Sequence, residues 1–240
     1  MLDVGNKNIV LVVGKASTGK SSSLRNLGNQ EGIAYLNTDL KEVPFKSKMQ
    51  EVSIKDPMDI HNAISEIEDN SEFHMGVLDT LTFLMSNYET QYVLSSANTQ
   101  KAWGDYGAFY KQFIHNIKSG TKNYAIMAHV QDIMNESEMA IETKAFVKGA
   151  VGKTGVEADF SIVIASRKVP IKTLKGIENS LLNITEEEEE DGFKYVFQTR
   201  VDKETMGWTM RSPLGLWSRN EKYIDNDLDA VFKRLNEYYA

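Results

Sequence analysis

The octapeptide at residues 14–21, GKASTGKS, constrains the fold of this chain more than any other stretch. It fits the pattern GxxxxGK[ST] of phosphate-binding loops. An apolar run at residues 9–13 precedes it, and a segment predicted to be helical, residues 21–27, follows it. A strand, a glycine-bounded loop and a helix in this order predict a phosphate cradle at the end of a buried strand. The alternative is an ordinary glycine-rich turn.

Each residue type in the octapeptide has a physical role. Gly14 and Gly19 allow a tight turn and a close approach of the backbone to phosphate oxygens. Lys20 supplies a mobile positive charge for the β- and γ-phosphates, and the Ser21 hydroxyl is a ligand suited to Mg²⁺. The residues predicted to contact the nucleotide are Gly14, Ser17, Thr18, Gly19, Lys20, Ser21 and Ser22. The motif therefore predicts a nucleotide and Mg²⁺ as ligands.

Composition excludes several classes of site. The chain has 240 residues, enough for one large domain or for one domain with an appendage. It contains no cysteine, which excludes disulfides, thiolate metal sites and cysteine nucleophiles. The net charge of −7 makes any nucleic-acid contact a local one. There is no apolar run long enough to span a membrane, and residues 1–7 lack the apolar core of a signal peptide, so we expect a cytoplasmic protein with no membrane contact.

Alternation of apolar runs and helical patterns through about residue 170 predicts the fold. It indicates an α/β protein with a mostly parallel twisted sheet flanked by helices. We predict a core at residues 1–170 and an extension of the same domain at 171–240. In that extension, apolar runs at 181–184 and 195–197 predict a β-hairpin around the acidic run 186–191, and residues 227–239 predict a terminal helix.

An acidic residue ends the strand predicted at residues 73–79. Asp79 follows a mostly apolar run, and a carboxylate held rigidly there is placed to bind Mg²⁺ near Ser21. The alternative role for Asp79 is to cap the next helix, although Thr80 can also do that. Because ligands bind at the carboxyl ends of parallel strands, we expect Gly14, Asp39, Asp79 and His129 to converge at one edge.

The order of these motifs resembles that of the RecA-type ATPases, and most closely the small bacteriophage forms of single-strand annealing and recombination, the Sak-four type. The resemblance covers about residues 8–168. It is carried by GKASTGKS, YLNTD, GVLDTLTFL, TQKAWGDYGAFY, IMAHVQD and KAFVKGAVGKTGVEADFSIVIASRK. It implies a RecA-like core that binds ATP and Mg²⁺.

The resemblance also implies roles for individual residues. Asp39 matches the carboxylate that activates the attacking water, usually a glutamate in this family, with Glu42 as a fallback. Asp79 matches the acid associated with Mg²⁺. His129 matches the polar sensor of the γ-phosphate, with Gln131 as the second candidate. A histidine with a purely local hydrogen bond is the alternative for His129.

Two segments correspond to the DNA-facing loops of the family, residues 103–107 and 144–153. Aromatic rings stack on unpaired bases and lysines neutralise phosphates, which supports the correspondence. The predicted contacts with single-stranded DNA are Lys101, Trp103, Tyr106, Lys144, Lys148 and Lys153. Core packing or a subunit contact is the alternative for Trp103, and a solvated loop is the alternative for the lysines.

Enzymes of this type bind ATP between subunits, with a cation from the neighbour completing the site. Arg167 and Lys168 are the candidates for that cation, with Lys153 behind them. The implied protein is a homo-oligomeric ring or filament on single-stranded DNA, with a single-stranded DNA-binding protein as a further candidate partner. An ATP-regulated annealing module with little turnover is the second hypothesis. A small-molecule kinase is the third, disfavoured because no arginine-rich lid is evident.

Overall fold

A computed structural model of the protein describes residues 5–137 and 139–240. Within these ranges the strands are β1 (Ile9–Gly14), β2 (Ile33–Asn37), β3 (Gln50–Ser53), β4 (Met75–Asp79), β5 (Asn123–Asn135), β6 (Ala140–Ala145), β7 (Ile162–Pro170), β8 (Phe193–Gln198) and β9 (Tyr223–Asp225). The α-helices are α1 (Asp59–Asp69), α2 (Leu81–Tyr88), α3 (Thr99–Ser119), α4 (Gly149–Thr154), α5 (Ile171–Leu174), α6 (Glu186–Asp191) and α7 (Leu228–Tyr239). None of the helices in the described ranges is long and apolar enough to span a membrane.

The strands form one sheet in the order β3-β2-β4-β5-β1-β7-β8-β9, with β6 paired to the far end of β5. From β3 to β7 all neighbouring pairs are parallel, and β8 and β9 continue the sheet as antiparallel strands. The predicted α/β class with a mostly parallel sheet is therefore confirmed. Because β5 lies between β1 and β4, it carries His129 directly beside Gly14.

Both faces of the sheet are covered, which explains the continuous apolar runs of its central strands. In β1, Leu11 and Val13 pack into the cluster that contains α1, α2 and α3. Val10 and Val12 point to the other face, into a cluster that includes α7. The buried β1 thus fixes the position at which the glycine loop begins.

The helix predicted at residues 21–27 is shorter than expected: it is a single 3₁₀ turn, Ser21–Leu24. Three consecutive serines have low helix propensity, and Ser23 Oγ donates to the carbonyl of Lys20 at 2.5 Å. Such a short turn adds little dipole, so the loop's own N–H groups are the main donors available to an anion.

The predicted hairpin at 181–184 and 195–197 is wrong. Strand β8 pairs with β7 and β9 instead, and the acidic run forms α6. A capping box between Thr185 and Glu188 starts α6, and Gly192 ends it at φ 78°. The predicted terminal helix is confirmed as α7.

The polar stretch after His129 belongs to the sheet. Strand β5 runs on to Asn135 and turns back as β6, with Val130 opposite Ala145. His129 therefore lies within a long strand rather than at its end.

Candidate functional site

The glycine loop leaves β1 in a conformation that excludes larger side chains. A Cβ on Gly14 would lie 2.6 Å from Thr18 Oγ1 and 2.7 Å from the carbonyl oxygen of Ser166. Gly19 has φ +95°, a region that favours glycine, and Ser17 has φ 58°. The loop can therefore bring its backbone close to a bound group without obstruction.

Lys20 is buried at the centre of the loop. Its Nζ donates to the carbonyls of Gly14 at 2.9 Å and Lys15 at 2.8 Å. Burial lowers the pKa of Lys20 to about 8, although the carboxylate of Asp79 acts in the opposite direction. The ammonium form therefore still prevails at neutral pH, and it is available to a polyanion that replaces the two carbonyls.

Ser21 and Asp79 meet at the carboxyl ends of β1 and β4. Ser21 Oγ donates to Asp79 Oδ2 at 2.6 Å, and the Tyr35 hydroxyl donates to the same oxygen at 3.0 Å. Burial raises the pKa of Asp79 above its usual value, against the effect of these two hydrogen bonds. Tyr35 was not predicted as a site residue, because its contact with Asp79 depends on β2 and β4 being neighbours.

Asp79 does not cap the helix that follows it, which was the alternative role predicted for this residue. Thr80 is the N-cap of α2, and its Oγ1 accepts from the backbone N–H of Phe83 at 3.2 Å. The carboxylate of Asp79 is thereby left to face Ser21.

His129 lies on the other side of Lys20. Its Nδ1 is 3.3 Å from Lys20 Nζ, and burial, followed by the nearby positive charge of Lys20, lowers its pKa to about 4. An ammonium group can only donate, so Nδ1 is the acceptor and the ring proton of the neutral imidazole resides on Nε2. His129 therefore presents a neutral N–H donor rather than a second cation.

Asp39 follows β2 and also borders this region. Its Oδ1 accepts from the backbone N–H of Lys41 at 3.1 Å, and its Oδ2 is 3.3 Å from Lys41 Nζ. Thr38 fixes the end of β2 to β4 through a hydrogen bond to the carbonyl of Thr80 at 2.8 Å. The carboxylate of Asp39 is thus positioned, but a neighbouring lysine partly neutralises it.

These side chains surround one cavity of about 420 Å³ at the carboxyl edge of the parallel strands. The lining residues are Ala16, Ser17, Gly19, Lys20, Ser21, Ser22, Asp39, Lys41, Pro44, Asp79, His129 and Tyr195. The fallback residues Glu42 and Gln131 do not line it. Lys41, Pro44 and Tyr195 were not predicted, because loop and distant-strand contributions leave no local sequence pattern.

The donor set suits a small hard cation together with phosphate. Among the described residues, no group of three or more His, Cys, Asp or Glu side chains forms a complete metal site. Mg²⁺ does not require one, since it is commonly held by one carboxylate, water and substrate phosphates. The Ser21 hydroxyl and the Asp79 carboxylate supply the oxygen ligands expected for that arrangement.

No protein-family model matches this chain, and no curated protein sequence matches it. Among solved structures, the chain is similar to the crystal structure of the RadB recombinase. The TM-score is 0.42 and the identity 13%, covering 70% of this chain and 77% of that chain. A similarity of this size does not identify a function.

Residues from the C-terminal part of the chain support the loop from behind. Ser166 Oγ donates to the carbonyl of Thr18 at 2.7 Å, and Asn226 Nδ2 donates to Ser166 Oγ at 3.1 Å. Arg25 donates to the carbonyl of Asn226 at 3.1 Å. The shape of the glycine loop therefore depends on hydrogen bonds that span 148 and 201 positions of the chain, which no local motif could reveal.

The segment predicted to be the first DNA-facing loop is part of α3. Asn98 caps that helix by accepting from the backbone N–H of Lys101 at 3.0 Å. Tyr106 is 2% exposed and faces the core, so it cannot stack on a base. Trp103 is partly buried, packs edge-on against Tyr106 at 5.2 Å and joins the same core cluster. The prediction of a loop here is wrong because apolar residues at helical spacing bind this segment to the core.

The predicted DNA-binding lysines are largely paired with carboxylates. Lys101 is 3.3 Å from Asp105, and Lys148 is 2.9 Å from the buried Glu89. Lys144 forms an ion pair with Glu142. Lys153 is exposed at the end of α4. Residues 144–153 contain no acid, but Glu142 precedes Lys144 in β6 and Glu89 reaches Lys148 from a distant part of the sequence.

Arg167 and Lys168 flank the phosphate loop of their own chain. They line a cavity of about 440 Å³ together with Lys15 and Thr18. Arg167 donates to Gln198 Oε1 and lies 5.6 Å from the Trp208 ring, while Lys168 lies 3.4 Å from the Phe193 ring. Both cations therefore line a cavity other than the one around Lys20.

Proposed function

We propose that this protein is an ATPase of the RecA type that binds Mg²⁺-ATP in the cavity around Lys20 and acts on single-stranded DNA. The observation that carries this proposal is the convergence of the loop, Ser21, Asp79 and His129 on one cavity at the edge of a parallel sheet. The chemistry of these groups matches phosphoryl transfer to water, in which positioning and charge stabilisation dominate.

Each residue has a defined task in this proposal. Lys20 exchanges its bonds to the Gly14 and Lys15 carbonyls for oxygens of the triphosphate. Mg²⁺, when bound, neutralises charge that develops on the phosphates, and Ser21 and Asp79 hold it. His129 donates from Nε2 to the terminal phosphate, and Asp39 orients the attacking water.

The cellular role follows from the sequence resemblance rather than from the cavity. We assign the protein to strand annealing or recombination of the bacteriophage type, as a ring or filament with ATP between subunits. Arg167 and Lys168 are proposed to reach the ATP site of a neighbouring subunit, since they lie beside the loop but do not line the cavity around Lys20 of their own chain.

The second candidate is an annealing module in which ATP controls assembly and turnover is slight. The pairing of Asp39 with Lys41 favours this candidate, because a carboxylate that already binds the backbone N–H and the ammonium group of Lys41 is a weak activator of water.

Nucleotide affinity and phosphate release separate these candidates. Lys20→Ala is expected to abolish binding of a fluorescent ATP analogue, whereas Lys111→Ala, at an exposed position of α3, is the matched control. Phosphate release that is stimulated by single-stranded DNA supports the ATPase. Annealing whose rate does not depend on ATP supports the annealing module. Unchanged nucleotide affinity in Lys20→Ala would remove the site assignment.

A further inference from the structure

A second cavity, of about 610 Å³, is lined by four cations that no motif had singled out: Arg200, Lys203, Arg219 and Lys222. The first two follow β8 and the last two precede β9. Antiparallel pairing of these strands brings the two pairs together, as the hydrogen bond from Thr199 N to the Lys222 carbonyl at 3.0 Å shows.

The charge of this basic cavity is largely uncompensated. Asp202 is the one carboxylate in its lining, and it is 3.1 Å from Lys222. Burial opposes ionisation of Asp202, but hydrogen bonds from Thr205, Lys222 and Tyr223 outweigh it and lower its pKa to about 2. Asp202 is therefore ionised at neutral pH and committed to those donors. The nearby Glu204 faces the cavity beside Arg167 instead.

The other three cations remain open to a ligand. Among the described residues, Arg200, Lys203 and Arg219 take part in no ion pair. Arg200 donates one N–H to the Trp217 carbonyl at 3.1 Å, which orients its guanidinium and leaves further donors. All three side chains belong to exposed residues.

We propose that the basic cavity binds the phosphate backbone of a nucleic acid. This proposal depends on the proposed function in one respect, namely that DNA is taken as the nucleic acid. An acidic protein repels a polyanion over most of its surface, so binding requires a local concentration of positive charge. The lysines of residues 144–153 are mostly paired with acids, whereas the cations of this cavity are not. The paired N–H groups of an arginine guanidinium match the spacing of two phosphate oxygens, so arginine is well suited to bind a phosphate.

The lining also predicts the type of recognition. It contains no aromatic residue to serve as a stacking platform, so we expect its contacts to be mainly with phosphate. Binding is therefore expected to be independent of base sequence and to weaken steeply with salt.

The test compares two double variants with the same change in net charge. Lys203→Glu/Arg219→Glu alters the cavity, and Lys55→Glu/Lys111→Glu alters exposed lysines on other elements. Fluorescence anisotropy of labelled oligothymidylate, without nucleotide and at several KCl concentrations, gives affinity and salt slope. The cavity variant is expected to bind about tenfold or more weakly with a slope smaller by about 2. The control should follow the wild type.

Equal losses in both variants, or none in the cavity variant, overturn the proposal, as does failure of the wild type to bind. A second experiment measures binding of inorganic pyrophosphate to the Lys20→Ala variant and detects a site for small anions. If pyrophosphate binds to the basic cavity and oligothymidylate does not, the proposal is also overturned. Because no nucleotide is present, the outcome is independent of the ATP site, whose failure appears only in the Lys20 experiment.

Discussion

Ser21 Oγ donates a hydrogen bond to Asp79 Oδ2 at 2.6 Å across 58 positions of sequence. The two side chains meet because β1 and β4 run parallel on either side of β5 and end at the same edge. A hydroxyl and a buried carboxylate in contact form the point at which we expect Mg²⁺ to bind.

Replacing the carboxylate of Asp79 is expected to separate function from stability. Asp79→Asn keeps the volume but removes the negative charge, so Mg²⁺-dependent nucleotide binding should be lost and turnover should fall by about 10²-fold or more. Burial disfavours the charged form of Asp79, so the free energy of unfolding should be unchanged or higher. Titration with and without EDTA, and urea unfolding, measure both. Asp105→Asn, at an exposed helix position, is the control; Mg²⁺ dependence that persists in Asp79→Asn contradicts the metal assignment.

Nucleotide affinity is expected to depend on pH through Lys20. The pKa of Lys20 in the free protein is about 8, so the ammonium form prevails below pH 8 and is lost above it. A bound triphosphate favours the charged form, so binding takes up a proton above pH 8 and weakens by up to about tenfold per pH unit. Isothermal titration in buffers of different ionisation enthalpy measures the proton uptake. Lys20→Arg, whose charge does not titrate in this range, should bind without this dependence; a flat wild-type profile between pH 7 and 9.5 would exclude the effect.

Two glycines in α3 test whether the predicted DNA loop is a helix. A Cβ on Gly104 or Gly107 would meet no atom within 4 Å. Alanine at either position should therefore raise the free energy of unfolding by about 0.5–1 kcal/mol, through helix propensity alone. Gly19→Ala is the contrasting variant: its φ of +95° and its contact with Asn226 predict a loss of stability. Urea unfolding checks all three, and destabilisation by Gly107→Ala would show that the segment is not helical in solution.

Asn226 is expected to act as a positioning residue for the phosphate loop. Asn226→Ala removes the donor to Ser166 Oγ and with it support for the Thr18 carbonyl. We expect a loss of about 1 kcal/mol in stability and a several-fold weaker affinity for nucleotide. Asn26→Ala, which removes an exposed hydrogen bond to Asp227, should leave nucleotide affinity unchanged. Equal affinities in the two variants would show that the loop holds its shape without Asn226.

Local sequence patterns were sufficient to predict the strands whose side chains are buried on both faces. The apolar runs that became β1, β2, β4 and β7 are buried on both faces, so their hydrophobicity alone marked them and the parallel sheet. Prediction failed for side chains whose surroundings are formed by residues distant in the sequence. Tyr106 was taken for a base-stacking residue, but α3 turns it into the core, and Lys148 was taken for a free cation, but Glu89 lies beside it.

The glycine loop and the carboxylate at the end of β4 could be recognised from the amino-acid sequence, because one is a glycine pattern and the other is a strand end. The groups around them could be recognised only from the folded chain: the Tyr35 hydroxyl, the neutral state of His129 beside Lys20, and the basic cavity between β8 and β9. Hydrogen bonds and charges act through space over a few ångströms. Their partners are therefore set by strand order and not by proximity along the chain.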